Sequence, residues 1–468
     1  MKSSRYIVRH AFAFAAATLV GAFGFALTGY SQIAPVDPIW TFTGNLRTNR
    51  YGHTATLLLN GKILVAGGGG FPCSGGGCYS TVNSTAELYD PSTATWSYTG
   101  SLRRRTGHSA TLLGNGQVLV AGGVNYGYDI GKFSYVTTAE LYNPETGRWR
   151  LTGGLKALYA GHAATLLQNG KVLLVGTSLN TSISAQVASD SRFPSAELYD
   201  PDTETWNSSA APTIAGPLTL LPDGTVLVVS GGAAELYHPD TETWSSAGNL
   251  NVIRSVRTAT LLNNGTVLIT GEGESSSAGY AEIYDPAMGI WSTTSNPFTV
   301  RGGTATLMSD GKVLLAGGYD SLHPVSGEEL YDPTTGTWSL TSHLNDARAG
   351  HTASLLPDGK VLVAGGVDGD FDIGTIFHDT AELYGPVGIP KISAATVLDK
   401  KLFVKGENFE PGAVILINGE SQKTANDIQS PKSELIGKKA GKKIKAGDTL
   451  QVRNPNGTLS QEFIFEIQ

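Results

Sequence analysis

Along most of the chain, apolar residues come in short runs closed by glycine, asparagine or aspartate. Ile63-Leu64-Val65-Ala66, for example, lies between Asn60-Gly61 and Gly67-Gly68. Runs this short, bounded by turn residues, predict strands rather than helices. Two blocks recur. One reads Gly52-His53-Thr54-Ala55-Thr56-Leu57-Leu58, then Asn60-Gly61, then Lys62 through Gly68; the other reads Ala86-Glu87-Leu88-Tyr89, a turn with Pro91, and Trp96. Copies of Ala-Glu-Leu-Tyr start at Ala86, Ala139, Ala196, Ala234, Ala281, Glu328 and Ala381, the sixth reading Glu328-Glu329-Leu330-Tyr331. Each has Asn-Gly or Asp-Gly upstream, at 60–61, 115–116, 169–170, 223–224, 264–265, 310–311 and 358–359. That dipeptide predicts a type I′ hairpin turn, which needs positive φ.

One repeat is therefore four strands. The third-strand glutamates, Glu87, Glu140, Glu197, Glu235, Glu282, Glu329 and Glu382, are spaced 38 to 57 residues apart, the length of one propeller blade. The predicted fold class is all-β: a seven-bladed β-propeller over residues 33–386, followed by a small β-sandwich over 389–468. Trp96, Trp149, Trp206, Trp244, Trp291 and Trp338 mark the fourth strand in six repeats, and the seventh has none. Trp40-Thr41-Phe42-Thr43-Gly44-Asn45-Leu46 copies Trp96 to Leu102 and predicts an N-terminal strand that closes the last blade.

Charge and cysteine sharpen this picture. Residues 1–31 join Lys2, Arg5 and Arg9 to an apolar run, Ala11 to Leu27, and read as a signal peptide, so the protein is expected to be secreted. No membrane span is expected after its removal, and a monomer is expected. Residues 32–388 hold 18 basic and 31 acidic residues, an acidic body that argues against a nucleic-acid partner. The two cysteines, Cys73 and Cys78, flank a glycine run, and export permits a disulfide between them.

The Gly-Gly doublet, the Tyr-Asp-Pro turn and the following Trp resemble the kelch family, in the bacterial form related to the central domain of galactose oxidase. The resemblance spans about residues 38–386. Lys405-Gly406-Glu407-Asn408-Phe409 and Val452 to Gly457 resemble the immunoglobulin-like IPT/TIG fold. The galactose oxidase resemblance implies a copper site of two Tyr and two His, with one Tyr cross-linked to Cys. That set does not transfer: both Cys share one loop, and 389–468 contain no His. A second kelch chemistry, sugar epimerisation, offers no motif to match. No catalytic residue is assigned and no cofactor is expected, apart from a possible calcium ion.

Residues present in every repeat serve what every blade shares. The seven Glu and the Trp set are expected to be structural, with the Glu in hydrogen bonds. The segments between second and third strands vary, and the long ones, 69–85, 124–138, 177–195 and 367–380, belong to blades 1, 2, 3 and 7, which are neighbours round a ring. Variable loops on a rigid scaffold are the usual place for binding. A glycan or protein ligand outside the cell is expected there, with Arg50, Arg104, Tyr126, Tyr128, Asp129, Tyr159, Arg348 and Phe371 as candidate contacts. Asp368, Asp370 and Asp372 alternate as in an oxygen-rich calcium loop. His53, His108, His162 and His351, in the same four blades, are expected to bond between blades rather than to hold a metal. The alternative function is a carbohydrate-active enzyme without the copper-radical site.

Overall fold

The computed structural model describes residues 38–70, 73–74, 77–78, 81–126, 133–179, 192–253, 255–272, 279–298, 302–319, 323–369, 375–385, 390–409, 412–427, 433–454 and 459–466. The expected signal segment, 1–31, lies outside them. Among the described residues the chain is all-β apart from one short 3-10 turn, Ala440–Lys442.

Seven four-stranded antiparallel sheets follow the repeats in order. The first takes Thr54–Leu57, Ile63–Ala66, Ala86–Asp90 and Thr95–Tyr98, paired in that sequence. The second begins at Ser109–Leu112, the third at Leu158–Leu166, the fourth at Leu218–Leu220, the fifth at Ser255–Leu261 and the sixth at Thr304–Leu307. The seventh takes Thr352–Leu355, Val361–Ala364 and Ala381–Gly385, and its fourth strand is Ile39–Phe42 from the other end of the chain. Trp40 pairs with Tyr384 and Phe42 with Glu382. Each first strand contacts the first strands of the sheets before and after it, and those of the seventh and first sheets also meet. That cyclic order is a β-propeller.

The second strand is apolar on both faces and fully buried, as in Ile63–Ala66 and Val361–Ala364. Adjacent sheets share the resulting cores; Ile63, Val65 and Tyr89 of the first sheet pack with Leu362 and Leu383 of the seventh. In every sheet the Tyr of the third strand stacks on the Trp of the fourth, with ring centroids 4.9–5.2 Å apart. Most of these rings also reach the preceding sheet. The Trp96 indole N–H donates to Gly44 O at 2.6 Å, and Tyr89 Oη bonds Thr43 Oγ1 at 2.7 Å. An aromatic body buried against its own sheet thus carries a polar tip that fixes the next.

The Asn-Gly turns differ from the type I′ expectation. Gly61 has φ 78°, while Asn60 is not among the positive-φ residues. Gly61 N–H donates to Leu58 O, and Leu58 N–H to Lys62 O. This is a three-residue loop, a type I turn closed by a left-handed glycine. The Asn60 Oδ1 accepts the Lys62 N–H at 3.1 Å, which explains why Asn or Asp stands there.

Beyond the propeller, two four-stranded sheets share one core. Leu402, Val404 and Leu435 from one pack against Ile415, Ile417, Leu450 and Val452 from the other.

Candidate binding face

In an antiparallel sheet of four strands, the first-to-second and third-to-fourth turns emerge at one end. The second-to-third connections emerge at the other. At that second end the first, second and seventh sheets each carry an added two-stranded ribbon. These pair Gly69–Gly70 with Thr81–Val82, Val124–Tyr126 with Phe133–Tyr135, and Val367–Asp368 with Ile376–Phe377. The first ribbon continues into Cys73–Ser74 and Gly77–Cys78, whose register sets Cys73 opposite Cys78. In the third sheet the ladder itself lengthens, Val172–Leu179 pairing with Arg192–Asp200.

The base of each ribbon is clamped by an arginine. Arg50 Nη1 donates to Gly67 O at 2.8 Å and Thr85 O at 3.1 Å, the two legs of the first ribbon. Its Nη2 donates to Glu87 Oε1 at 2.6 Å. Arg105 repeats this on Gly122 O, Thr138 O and Glu140, and Arg348 on Gly365 O, Thr380 O and Glu382. The residue after each arginine bridges the ribbon: Tyr51 to Gly69, Thr106 to Val124, Ala349 to Val367. Burial pulls all three guanidinium pKa values down and the paired carboxylate pushes them up.

The remaining carboxylate capacity caps the loop that enters the sheet. Glu87 accepts the Arg47 and Thr48 N–H groups, Glu382 those of Asn345 and Asp346, and Glu282 those of Asn251, Val252 and Ile253. Glu197 accepts from Lys156 and Ala157 N–H and from Tyr159 Oη. Glu140 takes Arg103 N–H, Glu329 takes Phe298 N–H, and the more exposed Glu235 takes Thr213.

This geometry corrects three candidate contacts. Arg50 and Arg348 have no exposed surface, and Tyr159 has 2%. They clamp loops from inside and do not face a ligand, because their polar atoms are consumed by carboxylates and carbonyls. The third-sheet Tyr159, bonded to Ser195 Oγ and Glu197, stands where the other three sheets place arginine. Arg104 is exposed and one position out of register; the clamp is Arg105. The signal was present in sequence as an arginine three residues before the Gly-His histidine: Arg50/His53, Arg105/His108, Arg348/His351. Tyr126 ends a ribbon strand, but its side chain is outside the described set, as are Tyr128, Asp129, Asp370, Phe371 and Asp372. Asp368 is half-buried and accepts the Gly369 N–H.

The four histidines tie neighbouring sheets together. His53 Nε2 bonds Thr352 Oγ1 at 2.9 Å, His108 bonds Thr54, His351 bonds Thr304, and His162 reaches Ala121 O. Burial lowers the pKa of each, that of His351 to about 3. One residue escapes the repeat logic. Glu328 stands where the other six repeats have Ala, and it is fully buried. Its Oε1 accepts the Leu344 N–H; its Oε2 accepts no hydrogen bond among the described residues and lies 3.6 Å from Nδ1 of the exposed His343. Burial raises its pKa to about 9.

A kelch motif model matches residues 50–103 and 301–345. Human Kelch-like protein 15 is 25% identical over 200 residues, covering 37% of this chain and 28% of that protein. An F-box/kelch-repeat protein of Arabidopsis thaliana is 34% identical over 111 residues, 24% of this chain and 26% of that protein. The chain thus spans about a quarter of the length of the curated relatives it matches. A solved fungal alcohol oxidase of the AA5 family, in complex with copper, superposes with a TM-score of 0.58 at 16% identity, over 92% of this chain and 99% of its own. The chain carries kelch motifs on a β-propeller.

The likeness to the oxidase shows the fold alone. Among the described residues no group of three or more His, Cys, Asp or Glu is placed to hold a metal ion. The Nε2 atoms of His53, His108, His162 and His351 are all engaged in bonds between sheets. Their Nδ1 atoms make no hydrogen bond among the described residues, but the four histidines do not gather into a group that could hold copper. A cavity of about 490 Å³ opens between the first strands of the third and fourth sheets. Among the described residues its lining includes Gly176, Thr177, Gly216 and Pro217, with His162 as its titratable side chain, and no acid–base pair converges there.

Proposed function

We propose that the protein is an exported interaction module. It binds a protein or glycan outside the cell through the ribbons of the seventh, first and second sheets and the lengthened ladder of the third. The observation that supports this most is the clamp. Three neighbouring sheets each commit a buried Arg–Glu pair to holding a ribbon upright, an arrangement suited to presenting a fixed contact surface. Kelch-like relatives are consistent with a module that works by interaction.

The same reading counts the seven sheets as seven blades and the C-terminal sandwich, 389–468, as an immunoglobulin-like IPT/TIG domain. It takes 1–31 as a cleaved signal, Cys73 and Cys78 as a disulfide, and the protein as a monomer. Among the described residues no helix is long and apolar enough to cross a membrane. Calcium on Asp368, Asp370 and Asp372 belongs to this proposal as an optional brace of the seventh ribbon. Raised melting on adding calcium, reversed by chelator, supports it. A second reading, a carbohydrate-active enzyme without copper, draws on the oxidase-like fold and is separated from the first by turnover.

The test is photo-crosslinking by the full chain carrying benzophenone at Tyr126, with Asp240 on the turn end as control. A glycan array with the same protein runs alongside. A defined partner trapped from Tyr126 alone, or array binding lost when 127–132 are trimmed, is the expected result. Equal trapping from both positions, with no array binding, rules out the ribbon face.

A further inference from the structure

The end of the propeller opposite the ribbons carries a repeated ion pair. Lys62 Nζ lies 2.9 Å from Asp90 Oδ2, Lys171 3.5 Å from Asp200, and Lys312 3.4 Å from Asp332. The lysine precedes the second strand and the aspartate ends the third. In the second sheet these two positions are Gln117 and Asn143. The fourth sheet has Thr225 and His238, the fifth Thr266 and Asp285, and the seventh Lys360 and Gly385. Only the second sheet replaces both charges with amides.

Around those amides lies a cavity of about 370 Å³, at the lower end of the range for small-molecule sites. Its polar lining is Asn60, Asn115, Gln117, Asn143 and Glu145. Three of the amides are oriented by their own turns. Asn60 Oδ1 accepts Lys62 N–H at 3.1 Å, Asn115 Oδ1 accepts Gln117 N–H at 3.0 Å, and Asn143 Oδ1 accepts Glu145 N–H at 2.8 Å. These turn bonds hold the amide planes, Asn143 Oδ1 also accepting Thr146 N–H, and no hydrogen bond among the described residues uses their Nδ2 groups. The cavity therefore offers three fixed NH2 donors, a Gln117 carboxamide that both donates and accepts, and one acceptor carboxylate.

One wall is apolar. Leu59 is 78% exposed and leans across the sheet boundary, its Cδ1 3.2 Å from where a Cβ on Gly116 would stand. The other sheets put Gly114, Gln168, Pro222, Asn263, Ser309 and Pro357 at this turn position. An exposed leucine beside a ring of amides is a departure from the repeat, and packing within the propeller does not require it.

The chemistry selects the ligand class. Glu145 opposes an anion, and amide NH2 groups oppose a cation. A purely apolar ligand would leave the amides without partners. A ligand that both donates and accepts, is uncharged, and has an apolar C–H face for Leu59 satisfies every wall. We propose that this groove binds a neutral saccharide of one or two rings, independently of the ribbon face.

Saturation-transfer NMR on the full chain with cellobiose, maltose and lactose tests it. The decisive variant is Gln117→Lys with Asn143→Asp. It installs the pair already tolerated in three sheets, so melting should not fall. The expected result is transfer to at least one disaccharide, reduced tenfold or more in this double variant and in Leu59→Ser. It should persist when 127–132 are trimmed. No transfer to any of the three sugars overturns the proposal, as does transfer undiminished in both variants. Transfer lost only on trimming the ribbon moves the sugar to the ribbon face and leaves that reading standing.

Discussion

Gly67 of the first sheet and His108 of the second are packed so closely that a Cβ on the glycine would lie 2.7 Å from His108 Cε1 and 2.6 Å from Arg105 O. The same fit recurs at Gly122 with His162, Gly317 with His351 and Gly365 with His53. The first glycine of the doublet thus belongs to the neighbouring sheet's histidine as much as to its own turn. Gly67 also has φ 61°. Gly67→Ala should lower stability by at least ~2 kcal/mol, combining overpacking with backbone strain. Gly107→Ala, with φ 60° and nothing within 4 Å, carries only the backbone part. Urea unfolding of both isolates the contact; equal losses would mean that the histidine gives way freely.

Arg105 and Arg104 are adjacent in sequence and opposite in role. Arg105→Ala leaves Glu140 buried without its guanidinium, and breaking such a pair costs about 3–5 kcal/mol. Arg104→Ala, on the exposed side, should change stability by ~0.5 kcal/mol or less. The comparison is made by thermal melting. A similar loss from both would place the clamp elsewhere.

This pair also shows where reading the sequence stops. The arginine three residues before the histidine recurs in three of the four Gly-His repeats, the third having Tyr159, so it lies outside the rule that residues present in every repeat serve packing. Whether its guanidinium points inward to glutamate or outward to solvent was not visible, since both orientations suit the same spacing.

Glu328 makes stability depend on pH in a definite direction. Its folded pKa is raised to about 9, above the ordinary carboxylate value that the unfolded chain keeps. The fold holds a proton that the unfolded chain has released, so stability falls as pH rises from about 4.5 to about 9. Glu328→Ala restores the residue of the other six repeats and removes the buried Oε2, which accepts no hydrogen bond among the described residues and lies 3.6 Å from His343 Nδ1. At pH 8 it should stabilise by ~1–3 kcal/mol, the cost of a buried polar group without a hydrogen bond. The gain should shrink towards pH 4, followed as the difference in unfolding free energy between variant and parent. A pH-independent difference would show that the carboxyl stays ionised.

The N-terminal strand should be essential to the ring. Deleting 33–47 removes Ile39–Phe42 from the seventh sheet, and with it the stacking of Trp40 on Tyr384. It also removes the Leu46 side chain from the core shared with Trp96. Melting should drop by many degrees and lose cooperativity in calorimetry. An unchanged transition would mean that the three remaining strands close the ring unaided.

By itself the sequence determined the strands, the positions of their turns though not their type, their repetition and the closing role of Trp40. These are local or periodic properties: alternation buries one set of side chains, and a glycine with positive φ turns the chain wherever it stands. The lengths of the loops also marked out one arc of the ring. Only the tertiary structure decided which polar side chains face inward. Arg50, Arg348 and Tyr159 have the composition of ligand contacts, but desolvated carboxylates across the sheet claim them. Glu328 departs from its repeat in a single letter, yet its oxygen without a hydrogen bond is buried only because neighbouring sheets close over it. Burial depends on residues far apart in the chain, so it becomes legible only when the ring is complete.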